Sequence, residues 1–306
     1  MKKKNFINII VFLLIITYVF VGTDFKNDIK KASADMSNIS KQTTKVKKTV
    51  NVTGDLIVSF IDVGQADSIL IQNNNHNMLI DAGNNEDGEK LVSYFKENNI
   101  TNFDYVVGTH AHEDHIGGLD DIINNFDIKT FYMPDVITTT KTFEDVLVAL
   151  DNKNIKLSIP TIDNEFKLAD ANLKVIYVGS SSSDLNDSSI VLRLDYKNNS
   201  FLFTGDATTK VEKQILNKDI DVDVLKLGHH GSSYSSSDIF LNKVNPSYAV
   251  ISCGLNNIYN HPTNSTLDKL NKKNIKLYRT DMDGTIIFTS DGDKLLINTV
   301  KTNTNG

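Results

Sequence analysis

Only one cysteine, Cys253, occurs in 306 residues. With no second thiol in the chain, an internal disulfide framework is excluded, and so is a Cys-rich zinc knuckle. Any bound metal must therefore rest on imidazoles and carboxylates. Positive charge is also scarce in the body of the chain. Residues 1–52 carry 10 Lys/Arg against 3 Asp/Glu, whereas the remainder carries 22 against 35. Such a body lacks the strong positive field that grips long nucleic acid by its phosphates, although a metal site can reverse that sign locally. The apolar content of 40% is ordinary for a packed core.

The N-terminus reads as targeting rather than fold. Lys2, Lys3 and Lys4 precede an apolar stretch at residues 6–21, interrupted only by Asn8 and Thr17. That is the layout of a secretory signal. Residues 1–22 are expected to be a signal peptide or membrane anchor, which puts the protein outside the cell, secreted or anchored to the outer face of the membrane. Ala32-Ser33-Ala34 is a small-residue cleavage site, farther from the apolar stretch than usual. If uncut, the stretch is at the short end of what crosses a bilayer, with Lys2–Lys4 holding its start on the cytoplasmic side. With no cysteine nearby, nothing marks a lipid-anchored lipoprotein. A buried core helix is the alternative, disfavoured by charged flanks on both sides. Residues 23–52 are polar and Lys-rich, the composition of a flexible linker.

From residue 53 to about 300, short β-branched stretches alternate with helical patterns. Strands are expected at 56–61, 67–71, 78–80 and 105–107. Helices are expected around Leu91, Val92 and Phe95, and where Leu119, Ile122, Ile123, Phe126 and Phe143, Val146, Leu147, Leu150 fall at i, i+3, i+4, i+7. The second half repeats the plan, with strands expected at 190–194, 201–204, 222–227, 248–252, 276–278, 285–288 and 295–298. Helical stretches are expected near 211–216 and 267–270. An internal echo accompanies this. Asp104-Tyr-Val-Val-Gly-Thr leads into His110 as Asp223-Val-Leu-Lys-Leu-Gly leads into His229. Two similar α/β halves imply sheets packed face to face with helices outside, and ligands at strand ends.

His110, His112, Asp114 and His115 fall within six consecutive positions, after an apolar strand and before Ile116-Gly117-Gly118 and a helix. A loop there turns the four side chains toward one point, whereas a helix or strand would scatter them. Imidazole and carboxylate suit zinc, iron or manganese, and four donors exceed the three protein ligands usual for one catalytic metal. Two metals are therefore expected. A merely solvated polar loop is the bland alternative, yet three of the chain's 7 histidines lie here.

The segment Thr109-His110-Ala111-His112-Glu113-Asp114-His115 resembles the His-x-His-x-Asp-His signature of metallo-β-lactamase-fold hydrolases. Further stretches are similar to the hydrolase domain of the ComEC/Rec2 competence family. They are Phe60-Ile-Asp62-Val-Gly64-Gln65-Ala66-Asp67-Ser68, Leu79-Ile-Asp81-Ala-Gly83, Phe203-Thr-Gly205-Asp206, Leu227-Gly-His229-His230-Gly231-Ser232 and Tyr259-Asn-His261-Pro262. The likeness runs from about residue 55 to 299, without that family's polytopic membrane channel. It implies an αβ/βα four-layer sandwich.

By resemblance, His110 and His112 bind a first metal, Asp114 and His115 a second, and Asp206 bridges both. A bridging anion fits, because two neighbouring dications repel. One of His229 and His230 completes the second site; the internal echo leans toward His229, and a structural imidazole in a helix-start loop is the alternative. Asp81 resembles the family's first-motif carboxylate and is expected to orient the ligand histidines rather than bind metal. Many members carry another histidine before the strand leading to the bridging Asp. Here that stretch is Leu185-Asn186-Asp187-Ser188-Ser189-Ile190, so Asn186, Asp187 or water takes its place. This favours exchangeable manganese over tight zinc at the first site. Asp67 and Gln65 would border the metals, and Ala66 stands where glycine is usual.

His261, between a strand and a helix, is where a substrate-facing acid would sit, or else a surface loop. Asp114, His261 and Asp67 are the candidates for catalysis. Asp281-Met282-Asp283-Gly284 is expected to be a tight turn, and His76 a hairpin residue without function. The reaction implied is two-metal hydrolysis with no side-chain nucleophile, on a phosphodiester, with DNA or oligonucleotides leading. The acidic body argues for short or weakly held substrates. Cell-surface phosphocholine or another small phosphodiester is the alternative, and a lactonase or β-lactamase is less favoured given the missing histidine. An exported binding protein would usually have lost ligands, and the main signature is intact. No feature points to a protein partner.

Overall fold

The computed structural model describes residues 55–180 and 184–301. The expected signal or anchor at 1–22 and the linker at 23–52 lie outside them. Among the described residues no helix is long and apolar enough to cross a membrane.

Chain order nearly dictates the sheets. The first takes β1 (Leu56–Phe60), β2 (Ser68–Asn73), β3 (His76–Ala82), β4 (Asn102–Val107), β5 (Asp127–Tyr132) and β6 (Leu157–Ser158). The second takes β7 (Glu165–Leu168), β8 (Ala171–Tyr177), β9 (Val191–Tyr196), β10 (Asn199–Phe203), β11 (Val224–Lys226), β12 (Tyr248–Ile251) and β13 (Lys276–Arg279). The chain then returns to the first sheet with β14 (Thr285–Ser290) and β15 (Leu295–Val300), so the orders are β15-β14-β1-β2-β3-β4-β5-β6 and β13-β12-β11-β10-β9-β8-β7.

Period-two alternation decides which side chains meet. Ile69 and Ile71 of β2 join Phe201 and Phe203 of β10 in a core between the sheets, while Leu70 and Leu202 face the helices. The first sheet is covered by α1 (Gly88–Glu97), α2 (Glu113–Ile116), α3 (Leu119–Asn125) and α4 (Lys141–Asn152), through Phe95, Ile116, Ile122 and Val146. The second is covered by α5 (Thr209–Ile215), α6 (Asp238–Val244) and α7 (Asn264–Lys272), through Val211, Phe240 and Leu270. This is the four-layer αβ/βα sandwich, and each fully buried Leu, Ile or Phe contributes about 1.5–3 kcal/mol to closing it.

The sequence pattern misses β5, β6, β7, β8 and α6. β5 and β7 are largely exposed or half-buried, so their apolar alternation is weak. α6 shows itself mainly in its cap, where Ser237 Oγ accepts from Phe240 N at 3.3 Å. The turn expected at Asp281-Met282-Asp283-Gly284 is one turn of helix, α8 (Thr280–Asp283), ending at Gly284 with φ 70°. β3 and β4 run parallel, as do β10, β11 and β12, and their carboxyl ends carry the site.

Candidate metal centre

The centre begins where β3 ends. Asp81 takes a left-handed conformation, φ 60°, which Asp tolerates better than most residues. Its Oδ1 accepts from Thr109 N and its Oδ2 from Thr109 Oγ1, both at 2.8 Å. The same Oδ2 lies 2.8 Å from His115 Nδ1. Asp81 thus occupies His115 Nδ1 and leaves Nε2 for a ligand, which is the work of an orienting partner. The loop can press onto the end of β3 only because residue 117 is glycine. A Cβ there would stand 2.2 Å from the Asn84 carbonyl carbon.

Asp206 follows Gly205, whose φ of 50° turns the chain at the end of β10, and its amide donates to Ser189 Oγ at 3.1 Å. Its two oxygens face different imidazoles. Oδ1 is 3.3 Å from His115 Nε2, while Oδ2 is 3.7 Å from His230 Nε2, 3.8 Å from His229 Nε2 and 4.0 Å from His110 Nε2. His110 Nε2 also faces His112 Nδ1 at 3.0 Å.

His229 and His230 are now distinguishable. Both are left-handed, φ 52° and 51°, and this turn swings the second imidazole inward. His230 is 2% exposed. Its Nδ1 is held by Ser252 O at 2.9 Å, and its Nε2 is 3.1 Å from Asp114 Oδ2. His229 stays at the rim. The lean toward His229 from the internal echo is therefore corrected: His230 joins Asp114, His115 and Asp206, whose donor atoms lie within 4.8 Å of one another.

This donor set fits a metal. His115 Nε2 and Asp206 Oδ1 are buried and face each other at 3.3 Å without a well-formed hydrogen bond, an arrangement that a bound cation between them would satisfy. Charge is concentrated at the same point. Burial opposes charge on Asp206 and Asp114, yet His115 and His230 hold both carboxyls well below their ordinary range. Burial also disfavours protonated His115, but Asp206, Asp81 and Asp114 outweigh it and carry its pKa well above the usual imidazole value. Burial, with His115 adding, drives His110 well below it.

The remaining candidates part ways. Asp67 is buried behind the cavity, and its carboxylate groups with Asp81 and His115, their donor atoms within 4.8 Å of one another. Its Oδ2 pairs with Lys226 Nζ at 2.6 Å, its Oδ1 stands 3.5 Å from His230 Nδ1, and its amide donates to the Asp114 carbonyl at 3.0 Å. It props ligands and does not line the cavity. Lys226, fully buried and also donating to Leu227 O at 3.1 Å, is the residue that sequence reasoning passed over, since a lysine in a strand reads as solvent-facing. Asp187 is taken by Lys210 at 2.7 Å and by Thr208 Oγ1. Asn186 keeps a buried Oδ1 without a hydrogen-bond partner.

His261 lines a cavity of about 270 Å³ together with Gln65, His112, Asp114, His229 and His230. Burial, with His229 and His230 adding, pushes it down to about 4. That shift favours the uncharged ring, while its place in the cavity wall agrees with the substrate-facing position expected of it. His76 pairs with Asp104 at 2.9 Å on β3, outside the cavity wall.

The model of the Metallo-beta-lactamase superfamily matches residues 61–255. ComE operon protein 3 of Bacillus subtilis is 30% identical over 252 residues, covering 76% of this chain and 32% of that protein. Competence protein ComA of Neisseria gonorrhoeae is 32% identical over 237 residues, with the same coverage of 76% and 32%. The chain thus spans about a third of the length of these curated relatives. In fold it is similar to the solved CmlA beta-hydroxylase E377D mutant, with TM-score 0.52 and 12% identity, covering 77% of this chain and 54% of that one. The donor geometry and the matched residues together make the chain a member of the metallo-β-lactamase superfamily, a metal-dependent hydrolase related to competence proteins.

Proposed function

We propose that the protein is an exported two-metal phosphodiesterase or nuclease acting on DNA or oligonucleotides. The observation that carries this reading is Asp206, a single carboxylate facing His115 with one oxygen and His110, His229 and His230 with the other. His110, His112 and Asp206 would hold one divalent ion, zinc or manganese, and Asp114, His115, His230 and Asp206 the other. Such ions lower the pKa of water and polarise phosphoryl oxygens. The protein's own part is orientation. Asp81 and the Ser252 carbonyl fix the rings of His115 and His230, and His229 and His261 offer rim contacts to the substrate. The substrate class is supported by relatives named for competence, and export by Lys2–Lys4 and the apolar stretch after them.

The test is a hydrolysis screen of purified full-length protein with zinc or manganese on single-stranded DNA, dinucleotides, phosphocholine esters and β-lactams, after fractionating the producing cells. Cleavage of DNA or dinucleotides is expected from protein found outside the cytosol. Asp206→Asn should lose about one metal per chain and more activity than the roughly 10–100-fold typical of an outer partner. Cleavage of phosphocholine esters or β-lactams alone would reassign the substrate. A full-length chain soluble in the cytosol would overturn export, and an Asp206→Asn variant keeping both metals and full turnover would overturn the bridge.

A further inference from the structure

Among the large hydrophobic side chains that stand exposed in the described residues, Tyr259 alone also lines the metal-centre cavity. Every other lining side chain is an imidazole, a carboxylate or the Gln65 amide. The tyrosine is 61% exposed. Its ring lies against His261, with centroids 5.8 Å and planes 27° apart, and His261 meets His229 edge-on at 5.5 Å. The phenol is thus flanked by imidazole and otherwise largely open to solvent.

The loop carrying it is tethered. Gly254 N donates to Gln65 Oε1 at 3.0 Å, Asn257 Nδ2 to Gly254 O at 2.9 Å, and His261 N to Asn257 Oδ1 at 3.0 Å. So firmly held a loop nevertheless leaves Leu255, Ile258 and Tyr259 in water. Apolar surface grouped this way beside a site marks a contact for a ligand.

We propose that Tyr259 is a stacking platform for one nucleobase of a single-stranded oligonucleotide, next to the phosphate seated over the metal donors. This rests on the nucleic-acid reading above. Charge argues for a base as the occupant. The body of the chain has 35 acidic against 22 basic residues, so away from the metal donors it offers little positive charge to hold further phosphates. Stacking needs no positive stripe and tolerates any sequence, because every base has a π-face. The imidazoles of His261 and His229 mark the track from the ring to Asp206.

The test uses full-length protein loaded with manganese, a dinucleotide, and the same phosphodiester lacking one base, each at low and high salt. The parent should prefer the base-bearing substrate by about tenfold in kcat/KM, chiefly through KM, with the preference surviving added salt. Tyr259→Ala should lose that preference and Tyr259→Phe restore it. A tyrosine that merely props His261 would lower kcat on both substrates alike, and that result overturns the platform. So does an intact base preference in a Tyr259→Ala variant that no longer binds phosphatidylglycerol vesicles, which would assign the loop to a membrane. If the parent cleaves neither nucleotide substrate but hydrolyses another phosphodiester, the functional reading fails and the platform falls with it. If the parent cleaves both without preference, only the platform fails.

Discussion

Asp104 in β4 accepts a hydrogen bond from the Asn77 amide at 3.3 Å, and Asp223, just ahead of β11, accepts one from the Ser200 amide at 2.8 Å. Each carboxylate ties the start of its strand to the neighbouring strand, at the same distance in sequence from a histidine. Their far ends differ. β4 leads into α2, with His112 at its N-cap position, and that single helical turn adds Asp114 and His115 beside His110 and His112. β11 leads into two left-handed residues and Gly231 at φ 81°, which reverse the chain and deliver one buried imidazole. The first half thus supplies a cluster, and the second supplies single donors from separate strand ends.

The sharpest way to break this comparison is to exchange the two histidines of the second half. His230→Ala should release about one metal per chain and cost more than the roughly 10–100-fold typical of an outer partner. His229→Ala should keep the metal content. Elemental analysis beside turnover decides it, and the opposite pattern would make β11 end as β4 does.

A smaller effect is expected inside the strand. Val107 of β4 has Lys226 as its counterpart in β11, so one strand buries a methyl pair where the other buries an ion pair. Lys226→Met should destabilise by about 3–5 kcal/mol, because Asp67 is left buried and uncompensated. Adding Asp67→Leu should recover most of the loss by removing the stranded charge. Denaturant unfolding measures both, and a harmless Lys226→Met would mean the carboxylate finds another partner.

The smallest effect belongs to His261, which covers His229. With its pKa lowered to about 4 in the folded protein against an ordinary value of 6.5, the unfolded chain takes up the proton first. Its stabilising contribution is complete above about pH 6.5 and is lost as pH falls toward about 4. His261→Asn should flatten that part of the curve of Tm against pH. An unchanged curve would show that the ring protonates freely in the folded state.

Most of the centre was legible because its chemistry is local. Donors clustered between an apolar strand and a double glycine mark a strand end, although Asp114 and His115 lie on the single turn of α2 rather than in the expected loop, and alternating apolar residues announced most strands. What escaped depended on handedness or on distant partners. Spacing along β11 points to His229, but spacing carries no φ angle, and the left-handed turn decides for His230. Lys226 reads as exposed until Asp67, far away in sequence, is seen beside it. Asn186 and Asp187 read alike until Lys210 and Thr208 claim the second. β5 escaped because a largely exposed strand has no apolar face to display.

Asp206 rides on the second sheet and His115 on the first, while the core between the sheets draws on both. Neither half alone assembles the donor set, so hydrolytic capacity is a property of the closed sandwich and not of any segment. A partly folded chain is catalytically silent whichever half forms first. Once the layers close, a bound ion becomes a cross-link that the unfolded chain cannot reproduce, so every ion taken up also holds the two sheets together.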